Sequence, residues 1–437
     1  LRWVGKLLQA VRRWSAHRME DTTLSTTHTG FSSIVPVVIG GDIGAYALGR
    51  QMHEAFGVRS ICVAPEPIGA IAHSSLFTSC HVDRLVDSEL RIAIAAIARE
   101  HAGRPVVVVS NADLLIATLG RMATDLPQNV VMCMPPAAVV DLVSDKAEFA
   151  RLCVEHGLDV PCALMAHCGH AAPFPRWEGD FPLVLKPARS PEYAPFLARG
   201  FQKVYYVQGQ GELESILRSL RDAGFEGDML VQELIVGDDT YMDSITLYFD
   251  RRGECTLYGS ARVLLEDHAP SMLGNPVAMI TQQVPELWEK CVSMLKSVRY
   301  RGFANFDIKR DPKRPGRYVF FEVNPRIGRN SYYNLAAGVN PMELAVRDLV
   351  GHEELESQTA SRKVLYTLVP VSLLRRYVRD PELLAEVDQL VGEGKVFDPQ
   401  RYEADCGLRR MLDVALTERN QVRKFARYYP EPTDTSF

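Results

Sequence analysis

The sequence predicts an α/β protein. Strands alternate with helices from Ile34 to about Pro136, which implies a parallel sheet with crossover helices. Beyond residue 144 the pattern turns to antiparallel strands and a long hairpin interleaved with helices. The chain has 437 residues, 47% hydrophobic and 24% charged, enough for two to four units with full cores.

The opening stretch, LRWVGKLLQAVRRWSAHRM, places Trp3, Val4, Leu7, Leu8, Val11 and Trp14 on one helical face. Arg2, Lys6, Arg12, Arg13 and Arg18 fill the rest, the composition of a helix lying on an anionic membrane surface. A helix docked on the body, or a translated upstream region with Met19 as the start, is the competing and plainer explanation. Residues 20–33 are rich in Ser and Thr and read as a linker. IVPVVIGG is a buried strand, followed by the helix AYALGRQMHEAF, the strand SICVAP, the helix RIAIAAIARE and the strands PVVVVSN and VVMCMPP. A helix then opens at Ser144, with Glu148 near the capping-box spacing and Gly157 as its stop. PLVLKPA, KVYYV and MLVQELIV read as strands, with a helix from about Glu212 to Ala223. DSITLYFD and CTLYGSARVLLE form an antiparallel pair about a turn at 250–254, and helices are expected near 285–298 and 342–349. Residues 352–437 mix both signals.

The formal charge of −5 gives no basic field for nucleic acid. No apolar run reaches the roughly 20 residues of a membrane span. Nine scattered cysteines without a CxxC pair argue against a disulfide framework or zinc site and for a reducing, cytoplasmic setting.

The hairpin FANFDIKRDPKRPGRYVFFEVNPR is the most informative feature. With Arg310 opposite Val319, Asp307 falls opposite Glu322 and Asn305 opposite Asn324. These four share a face, while Phe306, Ile308, Phe321 and Val323 point into a core. Opposed carboxylates about 5 Å apart repel unless a cation lies between them, and oxygen ligands with a neutral amide suit magnesium. A solvated polar face is the competing explanation. Lys186 ends a buried strand and faces either a cleft or, by snorkelling, the surface. Lys146, inside a helix N-terminus, is a second candidate phosphate contact or an ordinary exposed lysine. Gly40-Gly41-x-x-Gly44 follows a strand and opens a helix, but it is not GxGxxG and its Asp42 would repel a pyrophosphate. Nicotinamide binding there, with Glu66 as ribose acid, is weaker than close strand-to-helix packing as its explanation.

Taken in order, SDK at 144–146, PLVLKPA at 182–188, LVQELIVGDD at 230–239 and NFDIK…FEVNPR at 305–326 resemble the ATP-grasp superfamily. The likeness spans about 34–350. It implies an N-terminal α/β domain (34–140) after the 1–33 extension, then an ATP-grasp region (141–350) made of an α+β core and a small lid (158–230). A C-terminal segment (351–437) follows. It also implies that Lys146 and Lys186 contact ATP phosphates, with Lys203 a further candidate. Gln232, Glu233, Leu234 and Ile235 would form the adenine hinge. Asp239, or else Asp238, would hold the ribose. Asp307, Glu322 and Asn324 would bind magnesium, as two ions, with manganese an alternative. Arg326 and Arg262 would steady the transferred phosphate. The lid departs from many relatives in having one glycine in ARSPEYAPFLARGFQKV. APSMLGNPVAMIT and FFEVNPRIGRNSYYNLAAGVNP look most like D-aspartate ligases and related carboxylate–amine ligases. By that analogy Asn275, Arg329 and Asn330 line an amino-acid pocket, and the amine acceptor is a peptidoglycan precursor peptide. The competing functions are a ligase of small peptides or natural products, a dinucleotide-dependent oxidoreductase and a non-catalytic nucleotide-binding module.

Overall fold

The computed structural model describes residues 29–169, 173–188, 190–270 and 272–435. The amphipathic stretch 2–18 and linker residues 20–28 lie outside the described residues.

The first sheet is parallel, in the order β3-β2-β1-β4-β5. Its strands are β1 (Val35–Ile39), β2 (Ser60–Ala64), β3 (Phe77–His81), β4 (Val106–Ser110) and β5 (Val130–Met132). β1 and β4 are buried along their whole length, which is why they read as unbroken apolar runs. β3 is an edge strand, FTSCH, with only Phe77 buried. It carries no apolar run, so the sequence did not predict it. Helix α1 (Ile43–Phe56) leaves β1 through the glycine turn. Asp42 caps it by accepting from Ala45 N at 2.8 Å, and Gly57, at φ 67°, ends it. Helices α2 (Asp87–Glu100) and α3 (Asp113–Met122) flank the same sheet.

Helix α4 (Lys146–Glu155) is capped by Asp145, whose carboxylate accepts from Ala147 N and Glu148 N. The cap is one residue later than expected, because Ser144 ends the preceding helix. Four strands follow: β6 (Ala163–His167), β7 (Leu183–Pro187), β8 (Tyr205–Val207) and β9 (Asp228–Glu233). They form an antiparallel sheet in the order β6-β9-β7-β8. Helix α5 (Gln210–Asp222) packs on it through Leu213, Leu217 and Leu220.

The largest sheet runs β14-β13-β10-β11-β12-β16-β17. It comprises β10 (Met242–Phe249), β11 (Cys255–Asp267), β12 (Asn275–Thr281), β13 (Gly302–Arg310) and β14 (Tyr318–Asn324). β15 (Gln358–Thr359), β16 (Leu365–Thr367) and β17 (Val396–Phe397) come from the C-terminal segment that pattern alone left unplaced. Helix α6 (Pro285–Ser297) and α4 cover one face, packing Trp288, Met294 and Phe149 on Ile245, Phe306, Ile308 and Phe320. Helix α7 (Pro341–Leu349) belongs to the core on the other face. Among the described residues no helix is long and apolar enough to cross a membrane.

The hairpin register corrects the expected one in part. Asp307 is opposite Glu322 and Asn305 opposite Asn324, but Arg310 is opposite Tyr318 rather than Val319. A bulge after Asp307 absorbs the extra residue. It also exchanges two phenylalanines: Phe320 enters the core at 1% exposure, and Phe321 is only half-buried.

Later in the chain, helix α8 (Pro381–Gly392) packs on β16, and α9 (Leu408–Tyr428) returns the chain to the first domain, against the short helix Gly69–Ala72. Arg410 of α9 is 1% exposed, paired with Asp405 Oδ2 at 2.8 Å, and donates to the carbonyls of Gln400, Asp405 and Ala70. Burial pushes the Asp405 carboxyl up, but donors from Ser74 and Ser75, then Arg410, outweigh it and hold it below its ordinary value. Arg410→Ala leaves that carboxylate buried without its charge partner. We expect a loss of about 3–5 kcal/mol, read as a lower midpoint in urea unfolding.

Candidate active site

The hairpin brings the four candidate residues of its polar face together. Asn324 Nδ2 donates to Asp307 Oδ2 at 2.9 Å, and Asn305 Nδ2 lies 3.4 Å from Asp307 Oδ1. Asn305 is itself fixed, because its Oδ1 accepts from Thr246 Oγ1 at 2.9 Å and Ser244 Oγ at 3.3 Å. Gly328 makes room for it, since a Cβ there would lie 2.6 Å from Asn305 Oδ1. Burial pushes the Asp307 carboxyl up from its ordinary value, and the facing charge of Glu322 pushes it further. A divalent ion held between the two carboxylates would oppose both effects. Among the described residues no group of three or more His, Cys, Asp or Glu side chains could hold a metal. The oxygens of two carboxylates and an amide, from Asp307, Glu322 and Asn324, are the donor chemistry that fits magnesium, which keeps water and phosphate ligands.

Three lysines address the same space. On β7, Leu183 and Leu185 are fully buried in the core, so alternation turns Lys186 to the other face. Burial, then the charges of Lys146 and Lys203, push Lys186 down to about 8 against the pull of Glu322. Burial also lowers Lys146, with Glu322 opposing and Lys203 adding. Lys146 and Lys186, drawn to one carboxylate and repelled by Lys203, concentrate positive charge suited to a polyanion.

The candidate hinge residues lie at the end of β9 and just beyond it. Gln232 is 5% exposed, and its Oε1 is buried with no hydrogen-bond partner among the described residues. Glu233 is committed elsewhere than to a free ligand contact. Its carboxylate meets Arg317 at 3.0 and 3.1 Å, Arg314 at 2.5 Å and Cys162 N at 3.2 Å. Burial raises it, but these donors outweigh burial and hold it below its usual value. Arg317 also binds Asp311 in the hairpin turn, so this network ties the hinge to the strands carrying Asp307 and Glu322. Ile235 is 3% exposed. Asp239 is 4% exposed. Its Oδ2 accepts from Glu266 N at 2.9 Å and His268 Nε2 at 3.0 Å, while its Oδ1 is buried without a partner among the described residues. Orphaned buried oxygens are unusual and suit places where a ligand or an ordered water supplies donors.

The arginines divide. Arg326 follows β14 and is near both carboxylates, whose charges raise its pKa after the larger effects of burial, which lowers it, and of Asp113. It holds Asp113 of α3 through two bonds of 2.7 and 2.9 Å. Arg262 is not brought to that face. It pairs across the sheet with Asp243, which lies opposite Ile308, one position off the row of Ser244, Asp307 and Glu322. Its Nε donates to Thr240 O, and its guanidinium lies 3.9 Å from Asp380. Strand alternation, invisible without the register of β10, explains the difference.

The proposed amino-acid pocket is likewise only partly assembled. Arg329 Nε donates to Asp42 Oδ2 at 2.8 Å, and its Nη1 is buried without a partner among the described residues. Asn111 Nδ2 also reaches Asp42, at 3.3 Å. Gly44 permits this approach, since a Cβ there would lie 2.9 Å from Arg329 Cγ and 2.2 Å from Asn111 Nδ2. Asn330 is 9% exposed and accepts from Tyr366 OH at 3.4 Å. Asn275 stands apart. It donates to Met272 O and begins β12, four residues from Met279, the partner of Tyr366, or about 13 Å along the strand.

Sequence reasoning missed Asp113, Asn111, Arg314, Arg317, Glu266 and His268. Burial pushes Glu266 up to about 8, with the charge of Asp239 adding. Asp113 and Asn111 follow the apolar run of β4, the end of a parallel strand where ligands gather, and that position was a usable signal.

No protein-family model matches the chain. A D-aspartate ligase of Enterococcus faecium (strain Aus0004) is 25% identical, covering 90% of this chain and 96% of that protein. A biotin carboxylase of Campylobacter jejuni has a similar fold, with TM-score 0.54, 19% identity, and 74% and 72% of the two chains covered. So does an N5-carboxyaminoimidazole ribonucleotide synthetase of Thermus thermophilus, with TM-score 0.51, 15% identity, and 76% and 81% covered. An L-amino acid ligase of Bacillus licheniformis gives TM-score 0.50 at 15% identity, with 74% and 75% covered. The chain is thus similar over its whole length to a D-aspartate ligase and shares its fold with these enzymes, which agrees with the ATP-grasp carboxylate–amine ligases that its ordered motifs resemble.

Proposed function

We propose that this ligase activates the side-chain carboxylate of D-aspartate and joins it to an amine on a peptidoglycan precursor peptide. The observation that carries the reading is the cross-strand pair Asp307–Glu322 with Lys146, Lys186 and Lys203 placed around it. That arrangement supports a triphosphate held by lysines and bridged by magnesium to the carboxylates, with Asn324 completing the set. The magnesium, as two ions, would draw charge from the phosphate oxygens. Gln232 to Ile235 would receive the adenine and Asp239 the ribose, which the orphaned oxygens of Gln232 and Asp239 support. Arg326, rigid on Asp113, would meet the oxygens of the γ-phosphoryl group as it moves in line from the ADP oxygen to the substrate carboxylate. The resulting acyl phosphate gives an amide when the amine attacks its carbonyl carbon and phosphate leaves. The chain contributes position, charge and exclusion of water.

Arg329 and Asp42 support an amino acid as the activated acid, since a cation and an anion side by side match its α-carboxylate and α-ammonium. The whole-length likeness to a D-aspartate ligase supports the choice of aspartate and of its D form. The test offers D-aspartate, L-aspartate and other amino acids with a lysine-containing wall peptide, and follows ADP. Magnesium-dependent release with D-aspartate and peptide together is expected. A clear preference for another acid would overturn the substrate, and no ATP turnover with any pair would overturn the reaction.

A further inference from the structure

Residues after α9 run back across the two acids that follow the hinge. Tyr429 stacks flat on His268, with ring centroids 3.7 Å apart and an interplanar angle of 8°. The His268 side chain is 5% exposed, and its Nε2 donates to Asp239. Tyr429 is fixed in turn, since Tyr377 OH donates to its carbonyl at 2.5 Å and its own hydroxyl accepts from Thr433 N at 2.8 Å. A second tie reaches the neighbouring acid. Arg379 bridges Asp434 at 2.8 Å and Asp238 at 3.4 Å. The tail thus forms one wall of a crevice whose other residues include Asp238, Asp239 and Thr240.

We propose that this C-terminal tail is a working part of the nucleotide site, with Tyr429 and His268 as positioning residues that aim Asp239 at a ribose hydroxyl. The geometry argues for aim rather than simple packing. One oxygen of Asp239 is saturated by Glu266 N and His268, while the other is buried and unpartnered among the described residues. Burying a carboxylate oxygen without a donor is costly, so the fixed orientation suits a donor that arrives with a ligand. A ribose supplies two hydroxyls. The inference rests on the assignment of Asp239 to ribose.

The test compares ATP with 2′-deoxy- and 3′-deoxy-ATP in the full-length enzyme. A hydrogen bond to a charged acceptor makes kcat/KM for ATP exceed that of one deoxy analogue by about tenfold or more. In His268→Ala, kcat/KM for ATP is expected to fall about tenfold through KM, while that deoxy analogue is unaffected and the preference disappears. Tyr429→Leu is expected to behave alike, and Tyr429→Phe, which keeps the ring, to restore the preference. Thermal melting verifies that each variant is folded, and the two tyrosine variants decide the matter if His268→Ala is not. Full preference in folded His268→Ala and Tyr429→Leu overturns the role of the tail while leaving Asp239 on the ribose. No preference in the unaltered enzyme overturns the ribose assignment itself, and the tail's role with it.

Discussion

Glu322→Gln is expected to lower the rate of ADP formation on the order of a thousandfold or more, with the fold intact. The reasoning starts from charge. Phosphoryl transfer leaves little covalent work for the protein, so the rate depends on neutralising the phosphate oxygens. Bound metal ions contribute several kcal/mol of that stabilisation, and each 1.36 kcal/mol is tenfold in rate. Glutamine keeps the shape of Glu322 and removes the charge that would bridge two ions. The same change relieves a repulsion. Burial and Glu322 both hold the Asp307 carboxyl above its ordinary value in the folded chain. A raised carboxyl keeps its proton in the folded state when the unfolded chain has already lost its own. Stability of the metal-free protein therefore falls as pH rises from the ordinary carboxylate range towards the folded value. Removing the Glu322 charge shrinks that fall. Melting in metal-free buffer should show Glu322→Gln at or above the unaltered protein near neutral pH, and magnesium with ATP should raise the midpoint of the unaltered protein alone. Turnover retained within tenfold would remove Glu322 from the metal site.

The polar face of the hairpin was legible because a hairpin writes its geometry into spacing. Asn305, Asp307, Glu322 and Asn324 needed only alternation and a turn, and a bulge beyond Asp307 altered what lies past it without touching those pairs. Lys186 was legible for the same reason, as the polar end of an apolar strand. What stayed hidden depends on distant partners. Arg262 looked catalytic until the register of β10 put it in the row of Asp243 and Ile308. Asn275 shared a motif with the pocket but sits at the far end of its strand. Glu233 carries no local sign that Arg314 and Arg317, about 80 positions later, will claim it. The C-terminal segment was opaque because its strands are two or three residues long and its α9 buries Arg410 and Gln421 beside Val414 and Phe425, mixing polar with apolar residues on the inward face. Short strands give no period to read, and a polar inward face blurs that of the helix.

The lysine pocket leads to the second large effect. Lys186 is pushed down to about 8 by burial and by Lys146 and Lys203, so the free enzyme loses that charge within an accessible pH range. The dependence of kcat/KM on pH reports groups of the free enzyme. We therefore expect kcat/KM for ATP to fall as pH rises above about 8. Lys186→Met removes a donor aimed at developing charge and is expected to lower kcat/KM by about 10²–10³ at pH 7.5, the scale of one such donor. Lys186→Arg tests the assignment more sharply. A guanidinium stays charged throughout, so the alkaline fall should disappear even though the altered geometry lowers activity. The sign can be checked independently of turnover. A triphosphate favours the charged lysine, so ATP binding between pH 8 and 9 should take up protons, seen by calorimetry in buffers of different ionisation enthalpy. Lys186→Arg should abolish that uptake. An alkaline limb that persists near pH 8 in Lys186→Arg, with proton uptake intact, would assign the titration to another group and leave Lys186 without its role at the phosphates.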